Sequence, residues 1–300
     1  MKNPSWQSEY PFCSHRLQID GQDYHYVDQG NGCPVLMVHG NPTWSFYWRH
    51  LISGLQSTHR AIAPDHIGCG LSDKPQDYDY SLKQHIANLV RLIDELDLNN
   101  ITLLGHDWGG AIGLGAAIKR SSRFSRFVLF NTGAFPPPFF PWRIRVCRTP
   151  FLGKLALQGM NLFSLAALAM AVARPAQLSD TFKDGILLPY DNWQNRNAVY
   201  RFVKDIPQSP SHPTWHVLKE IETGLSMFAE HPVSLIWGMK DWCFRPECLD
   251  RFIEIFPHAE VHRLEDVGHW VVEEAKDDVL RLVTEFVQSD RRVSQNAGSN

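Results

Sequence analysis

The 300-residue chain has no basic excess, few cysteines and no apolar run long enough to cross a membrane. Its 29 lysines and arginines against 32 acidic residues give a net charge of −3, so no nucleic-acid partner is expected. Six cysteines without a CxxC pair are too sparse for a disulfide scaffold. The most apolar stretch, residues 162–173, has twelve residues, whereas a membrane-spanning helix needs about 20. Because the N-terminus holds no secretory signal, we expect a cytoplasmic protein that does not span the membrane.

Strand and helix patterns alternate along most of the chain, as in α/β proteins. Hydrophobic residues make up 44%, enough to bury a large core. Leucines and isoleucines three or four positions apart predict a helix at 81–98. The alternation predicts a mostly parallel sheet flanked by helices. We predict eight strands, at residues 15–19, 24–28, 35–38, 60–64, 101–104, 127–130, 233–237 and 261–264.

The alternation stops after the sixth strand. Residues 136–141 (PPPFFP) can continue neither a helix nor a central strand, and helical and loop patterns follow to about residue 227. We therefore predict one α/β domain, residues 1–135 and 229–288, with a helical cap inserted at 136–228. The polar residues 289–300 are predicted to form a disordered tail.

The most distinctive local pattern is GHDWGG at residues 105–110, between a buried strand and a glycine-rich helix. It resembles the G-x-nucleophile-x-G turn of α/β-hydrolases, with Asp107 where serine is usual. A carboxylate is ionised at neutral pH without help from a base. It is a weak nucleophile, suited to displacing a good leaving group or opening a strained ring. We therefore expect Asp107 to form an ester with a saturated carbon of its substrate.

Such an ester chemistry requires a base and an orienting acid. His269 lies in VGHW after the last predicted strand, where this fold places its histidine. Residues 131–133 (NTG), after the sixth strand, hold no carboxylate, so we expect the acid at Asp241, in GMKD after the seventh. Glu265 and Asp266 are weaker candidates, because they lie too close to His269 in the sequence.

The departing group requires hydrogen-bond donors. Asn41 follows the third predicted strand, where this fold supplies an oxyanion-hole amide, and Trp108 follows the nucleophile. We expect their backbone N–H groups to point into the pocket. Their side chains add an amide NH₂ and an indole N–H, which can hold a halide or a carboxylate-like oxygen.

Together these residues resemble the haloalkane dehalogenase family of α/β-hydrolases, over nearly the whole chain. The resemblance implies that Asp107 is the nucleophile, His269 the base and Asp241 the acid, with Asn41 and Trp108 stabilising the halide. An acid after the seventh strand with an Asn–Trp pair is typical of subfamily III. That subfamily resembles the β-lactone decarboxylases of bacterial long-chain olefin biosynthesis. Their cap segments are similar to PWRIRVCRTP at 141–150 and RFVKDIP at 201–207.

Four functions stay open at this point. The cap segments favour decarboxylation of a cis-3-alkyl-4-alkyl-β-lactone (an oxetan-2-one) to a cis-alkene and CO₂. The same five residues would serve a haloalkane dehalogenase, which hydrolyses carbon–halogen bonds. An epoxide hydrolase would use two cap tyrosines, here Tyr190 and Tyr200, to protonate the opened oxygen. A non-catalytic ligand receptor is disfavoured, because a receptor has no need of a complete set of nucleophile, acid and base.

The predicted cap is rich in large apolar side chains, which favours a small hydrophobic substrate, since each buried methylene contributes about 0.8 kcal/mol. Alternatively these side chains pack the cap onto the sheet domain or form a partner surface. The resemblance suggests a homo-oligomer or an assembly with other olefin-biosynthesis enzymes. Arg143, Arg145 and Arg148 would then face an acidic partner, although a solvated basic face is the simpler expectation. No metal or organic cofactor is expected. The apolar residues are Phe139, Phe140, Trp142, Phe151, Leu152, Leu155, Met160, Leu162 and Phe163.

Overall fold

The computed structural model describes residues 5–149, 151–174 and 178–297, and within them the strands form one eight-stranded sheet. The strands are β1 (Ser14–Ile19), β2 (Gln22–Gln29), β3 (Pro34–Val38), β4 (Arg60–Pro64), β5 (Ile101–Asp107), β6 (Phe124–Thr132), β7 (Val233–Gly238) and β8 (Glu260–Leu264). Their order in the sheet is β1-β2-β4-β3-β5-β6-β7-β8. β2 is antiparallel to β1 and β4, and all other neighbours are parallel. The predicted mostly parallel sheet is confirmed.

Helices cover both faces of the sheet. The α-helices of the described residues are α1 (Arg49–Leu55), α2 (Leu82–Glu95), α3 (Trp108–Lys119), α4 (Trp142–Cys147), α5 (Leu152–Lys154), α6 (Leu162–Met170), α7 (Asp180–Leu187), α8 (Asn197–Asp205), α9 (Pro213–Gly224), α10 (Pro246–Ile255), α11 (Val271–Glu274) and α12 (Lys276–Ala297). α12 continues to Ala297, although residues 289–300 are predicted from the sequence to form a disordered tail. Residues 298–300 of that predicted tail lie outside the described residues.

Side chains that alternate along the central strands build a core on each face. On β5, Leu103 packs into one cluster with α2, α3, α9 and α10. Its neighbour Leu104 packs into the other, with α1, α7 and α12. Both faces of these strands are therefore buried, which explains why they are continuous apolar runs in the sequence.

Between β6 and β7, the described residues hold helices and loops and no strand. We refer to residues 133–232 as the insertion. α9 lies within it but shares the core cluster of α2 and α3, so part of the predicted cap packs as a layer of the sheet domain. The predicted cap limits, 136–228, stay a prediction.

Much of the apolar surface of the insertion faces outward. Phe151 is 91% exposed, Leu152 73% and Trp142 70%, so these side chains do not pack onto the sheet domain. No single helix of the described residues is long and apolar enough to cross a membrane. Leu152–Gly159 and Leu162–Met170 meet that criterion only as a pair, bent by 77°.

Arg148 does not lie on the solvated basic face that the sequence analysis expected. Its Nη1 donates to the carbonyl oxygens of Val203, Lys204 and Ile206, each at 2.7 Å. The guanidinium therefore ties α4 to the end of α8. Arg148 is drawn to this position because carbonyl groups at a helix end lack partners within the helix and attract a cationic donor.

Candidate active site

Asp107 lies at the tight turn between β5 and α3. Its φ is +53°, an uncommon value for a residue with a side chain. A side chain at Gly109 would collide with the Val38 carbonyl, and one at Gly105 would collide with the backbone of Gly110. Glycine is therefore required for β5 and α3 to approach each other, and the turn places the Asp107 side chain beside the N-terminus of α3.

Backbone amides hold the Asp107 carboxylate in place. The N–H of Asn41 donates to Oδ1 at 2.8 Å, so this amide points at the carboxylate itself and not at open pocket space. Burial raises the pKa of Asp107, although the nearby His269 and the backbone N–H groups of Trp108 and Asn41 oppose this rise. The second oxygen, Oδ2, is 3.6 Å from His269 Nε2. The two oxygens therefore differ in their surroundings, since Oδ1 accepts a backbone N–H and Oδ2 faces the imidazole.

His269 is buried between two carboxylates. Its Nδ1 is 2.8 Å from Oδ2 of Asp241, and its ring stacks on Phe244 at a centroid distance of 5.8 Å. Burial disfavours the imidazolium ion, but the charge and hydrogen bond of Asp241 and the charge of Asp107 outweigh it. Together they raise the pKa of His269 to about 8. The side chain is thus mostly cationic at neutral pH in the free protein.

Asp241 accepts hydrogen bonds on both of its oxygens. Oδ1 accepts the N–H of Cys243 at 2.6 Å, and Oδ2 accepts Asn131 Nδ2 at 3.1 Å in addition to His269 Nδ1. Asn131 also exchanges two hydrogen bonds with the backbone of Gly238. Sequence reasoning passed over Asn131 because it is not a carboxylate. Its position in the sequence could have indicated it. Asn131 lies at the end of β6, where the fold can also place its acid, and from there it donates a hydrogen bond to Asp241, which follows β7.

The weaker acid candidates lie away from the imidazole. Asp266 forms an exposed ion pair with Arg174 at 2.9 Å, and Glu265 is exposed. The structure therefore brings together Asp107, His269 and Asp241 and leaves the two alternatives outside.

The Asn41 and Trp108 side chains lie near Asp107 and line the same cavity. Nδ2 of Asn41 donates to the Val199 carbonyl at 3.3 Å, which uses one of the two donors of its amide. The Trp108 ring packs on Phe202 with a centroid distance of 5.8 Å. Both residues line the cavity above Asp107, so they can donate to a leaving group there.

Two apolar cavities meet at Asp107. The first, which we name the inner branch, is about 110 Å³ and includes Trp108 in its wall. The second, the outer branch, is about 530 Å³ and includes His269. Tyr190 and Tyr200 line neither branch, and the hydroxyl of Tyr190 is buried against the Thr43 carbonyl at 3.1 Å. The site therefore lacks the tyrosine pair that an epoxide hydrolase would use.

The end of α6 is hydrogen-bonded to the loops that carry His269 and Asp241. The N–H of His269 donates to the Ala171 carbonyl at 2.8 Å. Nε1 of Trp270 donates to the Ala167 carbonyl, and Nε1 of Trp242 to that of Met170, each at 2.9 Å. The insertion is thus attached at this point to the loops that carry His269 and Asp241.

A family model described as alpha/beta hydrolase fold matches residues 34–146 and 168–276. The chain belongs to the α/β-hydrolase family. In that family's chain order of nucleophile, acid and base, the three positions here are Asp107, Asp241 and His269. Among the described residues, no group of three or more His, Cys, Asp or Glu side chains is arranged to hold a metal ion.

Three relatives and one solved structure illustrate what the chain is similar to. The cis-3-alkyl-4-alkyloxetan-2-one decarboxylase of Shewanella oneidensis is 43% identical, covering 92% of this chain and 89% of the relative. The protein of the same name from Xanthomonas campestris is 39% identical, covering 93% and 97%. Haloalkane dehalogenase 2 of Mycobacterium tuberculosis is 31% identical, covering 92% and 95%. The crystal structure of the haloalkane dehalogenase DatA from Agrobacterium tumefaciens is 25% identical and superimposes with a TM-score of 0.83, covering 92% and 96%.

Proposed function

We propose that this protein is a β-lactone decarboxylase that converts a cis-3-alkyl-4-alkyl-oxetan-2-one into a cis-alkene and CO₂. The observation that carries the proposal is the 39–43% identity, over more than nine-tenths of the chain, to two decarboxylases of that name. The site supports it, because Asp107 lies at the junction of two apolar branches suited to a substrate with two alkyl chains.

In the first step, Oδ2 of Asp107 attacks ring carbon C4 of the lactone, and the bond from C4 to the ring oxygen breaks. Release of ring strain favours this step, and the new carboxylate on C3 accepts hydrogen bonds from the side chains of Asn41 and Trp108. The attack inverts C4, so the bond to Asp107 lies opposite the C3 carboxylate.

In the second step, CO₂ leaves C3 and its bonding electron pair forms the C3=C4 double bond. The C4–O bond to Asp107 breaks at the same time, which regenerates the carboxylate. No water is consumed and no proton is transferred overall. Because elimination from the opposed arrangement keeps both alkyl groups on one side, a cis-lactone gives a cis-alkene.

In this scheme His269 acts through its charge. Its Nε2 is 3.6 Å from Oδ2 of Asp107 and, with its pKa raised to about 8, it is cationic at neutral pH. A cation beside Oδ2 stabilises the carboxylate that departs in the second step. An imidazolium ion cannot take a proton from water, so His269 favours collapse of the ester over its hydrolysis for as long as the imidazole keeps its proton.

Haloalkane dehalogenation is the second candidate, favoured by the fold of DatA and by the same five residues. An alkyl halide would leave an Asp107 ester with no carboxylate to lose, and only water could release it. That hydrolysis needs neutral His269 as the base, so its rate should rise as the pH increases through the pKa of His269.

The test is to incubate the purified protein with a synthetic long-chain cis-β-lactone and measure cis-alkene by gas chromatography. Wild type should form alkene and Asp107→Ala should not. Halide release from bromoalkanes without any alkene from the lactone would replace the proposal with the dehalogenase function. A trans-alkene product would contradict the inversion and elimination sequence.

We also propose that the enzyme works in the cytoplasm and associates with a second copy or with other olefin-biosynthesis enzymes. The exposed Phe151, Leu152 and Trp142 support an association surface, since apolar patches of this kind mark interaction sites. Analytical ultracentrifugation tests self-association. A monomer at all concentrations would leave the other enzymes as the partners to examine by co-purification.

A further inference from the structure

Five residues belong to both branches: Asn41, Asp107, Ile144, Phe163 and Cys243. Three of them, Ile144, Phe163 and Cys243, have apolar or weakly polar side chains and line both branches together with Asp107. A ring bound to Asp107 therefore faces two separate apolar spaces. A substrate with a single chain would fill one and leave the other open.

The inner branch ends against the core of the protein. Phe135 is 4% exposed, Leu218 5% and Cys248 3%, and all three form part of its wall. These side chains pack into the cluster that covers one face of the sheet. This end of the inner branch is therefore bounded by close-packed residues, and at about 110 Å³ the inner branch is also the smaller of the two.

The outer branch ends at the surface. Trp142 is 70% exposed, Val146 57% and Leu152 73%, and all three line it. Its walls belong to α4, α5 and α6 of the insertion. A chain lying in the outer branch can therefore extend toward solvent without meeting a core residue.

The two branches differ in the site residue that each includes. Trp108 lines the inner branch, and in the proposed scheme it is one of the two donors to the carboxylate carried by C3. His269 lines the outer branch, and it faces the Asp107 oxygen that bonds to C4. The attachment of each alkyl chain therefore directs it toward a different branch.

We propose that the alkyl chain on C3 of the lactone lies in the inner branch, which limits its length, and that the chain on C4 lies in the outer branch, which accepts longer chains. The inference rests on the proposed decarboxylation and assigns the substrate's two chains within that site. Each methylene that a branch buries should raise kcat/KM about fourfold until the branch is full.

The test uses two series of cis-β-lactones, one varying the C3 chain at a fixed C4 chain and the other the reverse. Ile206→Trp narrows the inner branch from a half-buried position, and Ala166→Phe narrows the outer branch. Leu165→Phe is the matched control, because Leu165 lies beside Ala166 on α6 but lines neither branch. Leu218→Ala removes part of the inner end wall.

We expect Ile206→Trp to shorten the longest C3 chain accepted and to leave the C4 dependence unchanged, with Ala166→Phe doing the opposite. Leu218→Ala should extend the C3 limit, and Leu165→Phe should match wild type. If each narrowing variant changed the limits on C3 and C4 chain length equally, the inference would be refuted. Alkene formation in the same assay would still support the proposed function. A reversed pattern would refute the chain assignment. No alkene from any lactone would refute the proposed function together with the inference.

Discussion

Replacing Asp241 with asparagine tests how a buried carboxylate sets the charge of His269. Three donors point at Asp241, from His269, Asn131 and the backbone of Cys243. An asparagine amide cannot accept all three, because one of its two ends is itself a donor. Burial lowers the pKa of His269, and without the Asp241 carboxylate only the charges of Asp107 and Glu274 would oppose this effect. We therefore expect the pKa to fall from about 8 to 6.5 or lower.

The expected magnitude follows from the size of that shift. A pKa raised from 6.5 to about 8 stabilises the folded protein by about 2 kcal/mol. Because the folded state has the higher pKa, this stabilisation is complete below about pH 6.5 and is lost as the pH rises through about 8. Urea unfolding should therefore show this loss in wild type between about pH 6 and pH 9, and the loss should be much smaller in Asp241→Asn.

Nuclear magnetic resonance titration of the His269 ring measures the pKa directly. Asp266→Asn is the control, because Asp266 is an exposed carboxylate paired with Arg174 and should leave the His269 titration unchanged. A pKa that stays near 8 in Asp241→Asn would refute the orienting role of Asp241. An equal fall in both variants would point to a general electrostatic effect.

Three further changes test the turn and the fold. Asp107→Ala should abolish alkene formation with an unchanged circular dichroism spectrum, and residual turnover would exclude Asp107 as the nucleophile. Gly109→Ala should lower the free energy of unfolding by about 1–3 kcal/mol in urea, because its methyl group meets the Val38 carbonyl; wild-type stability would contradict that close approach. Arg49→Met should cost about 3–5 kcal/mol by leaving Glu273 without its buried partner, seen as a lower Tm, and an unchanged Tm would show that the pair contributes little.

The sheet could be predicted because its central strands are buried on both faces. Continuous apolar runs such as those of β3 and β5 follow from that burial. The positions of Asp107, Asp241 and His269 could be chosen from chain order, since in this fold functional side chains follow the carboxyl ends of strands. Helix limits were less accurate, because the helix predicted at 81–98 spans Leu82–Glu95 and α12 continues into the predicted disordered tail.

Features that depend on tertiary contacts could not be predicted from sequence patterns. The support of Asp241 by Asn131 joins residues 110 positions apart. Arg148 resembles any surface arginine until the end of α8 is placed beside it. The exposure of the Phe151 side chain could not be predicted either, because composition shows that a segment is apolar but not which of its sides faces solvent.

The attachment of α6 to the His269 loop determines how the insertion can move. A displacement of the Ala171 end of α6 would pull the backbone of His269 with it and disturb the contact with Asp107. A movement of the insertion that keeps this hydrogen bond must leave the Ala171 end of α6 in place. Trp142 of α4 and Leu152 of α5 are exposed and line the outer branch, so a displacement of these two helices would change the apolar surface that the outer branch presents to solvent.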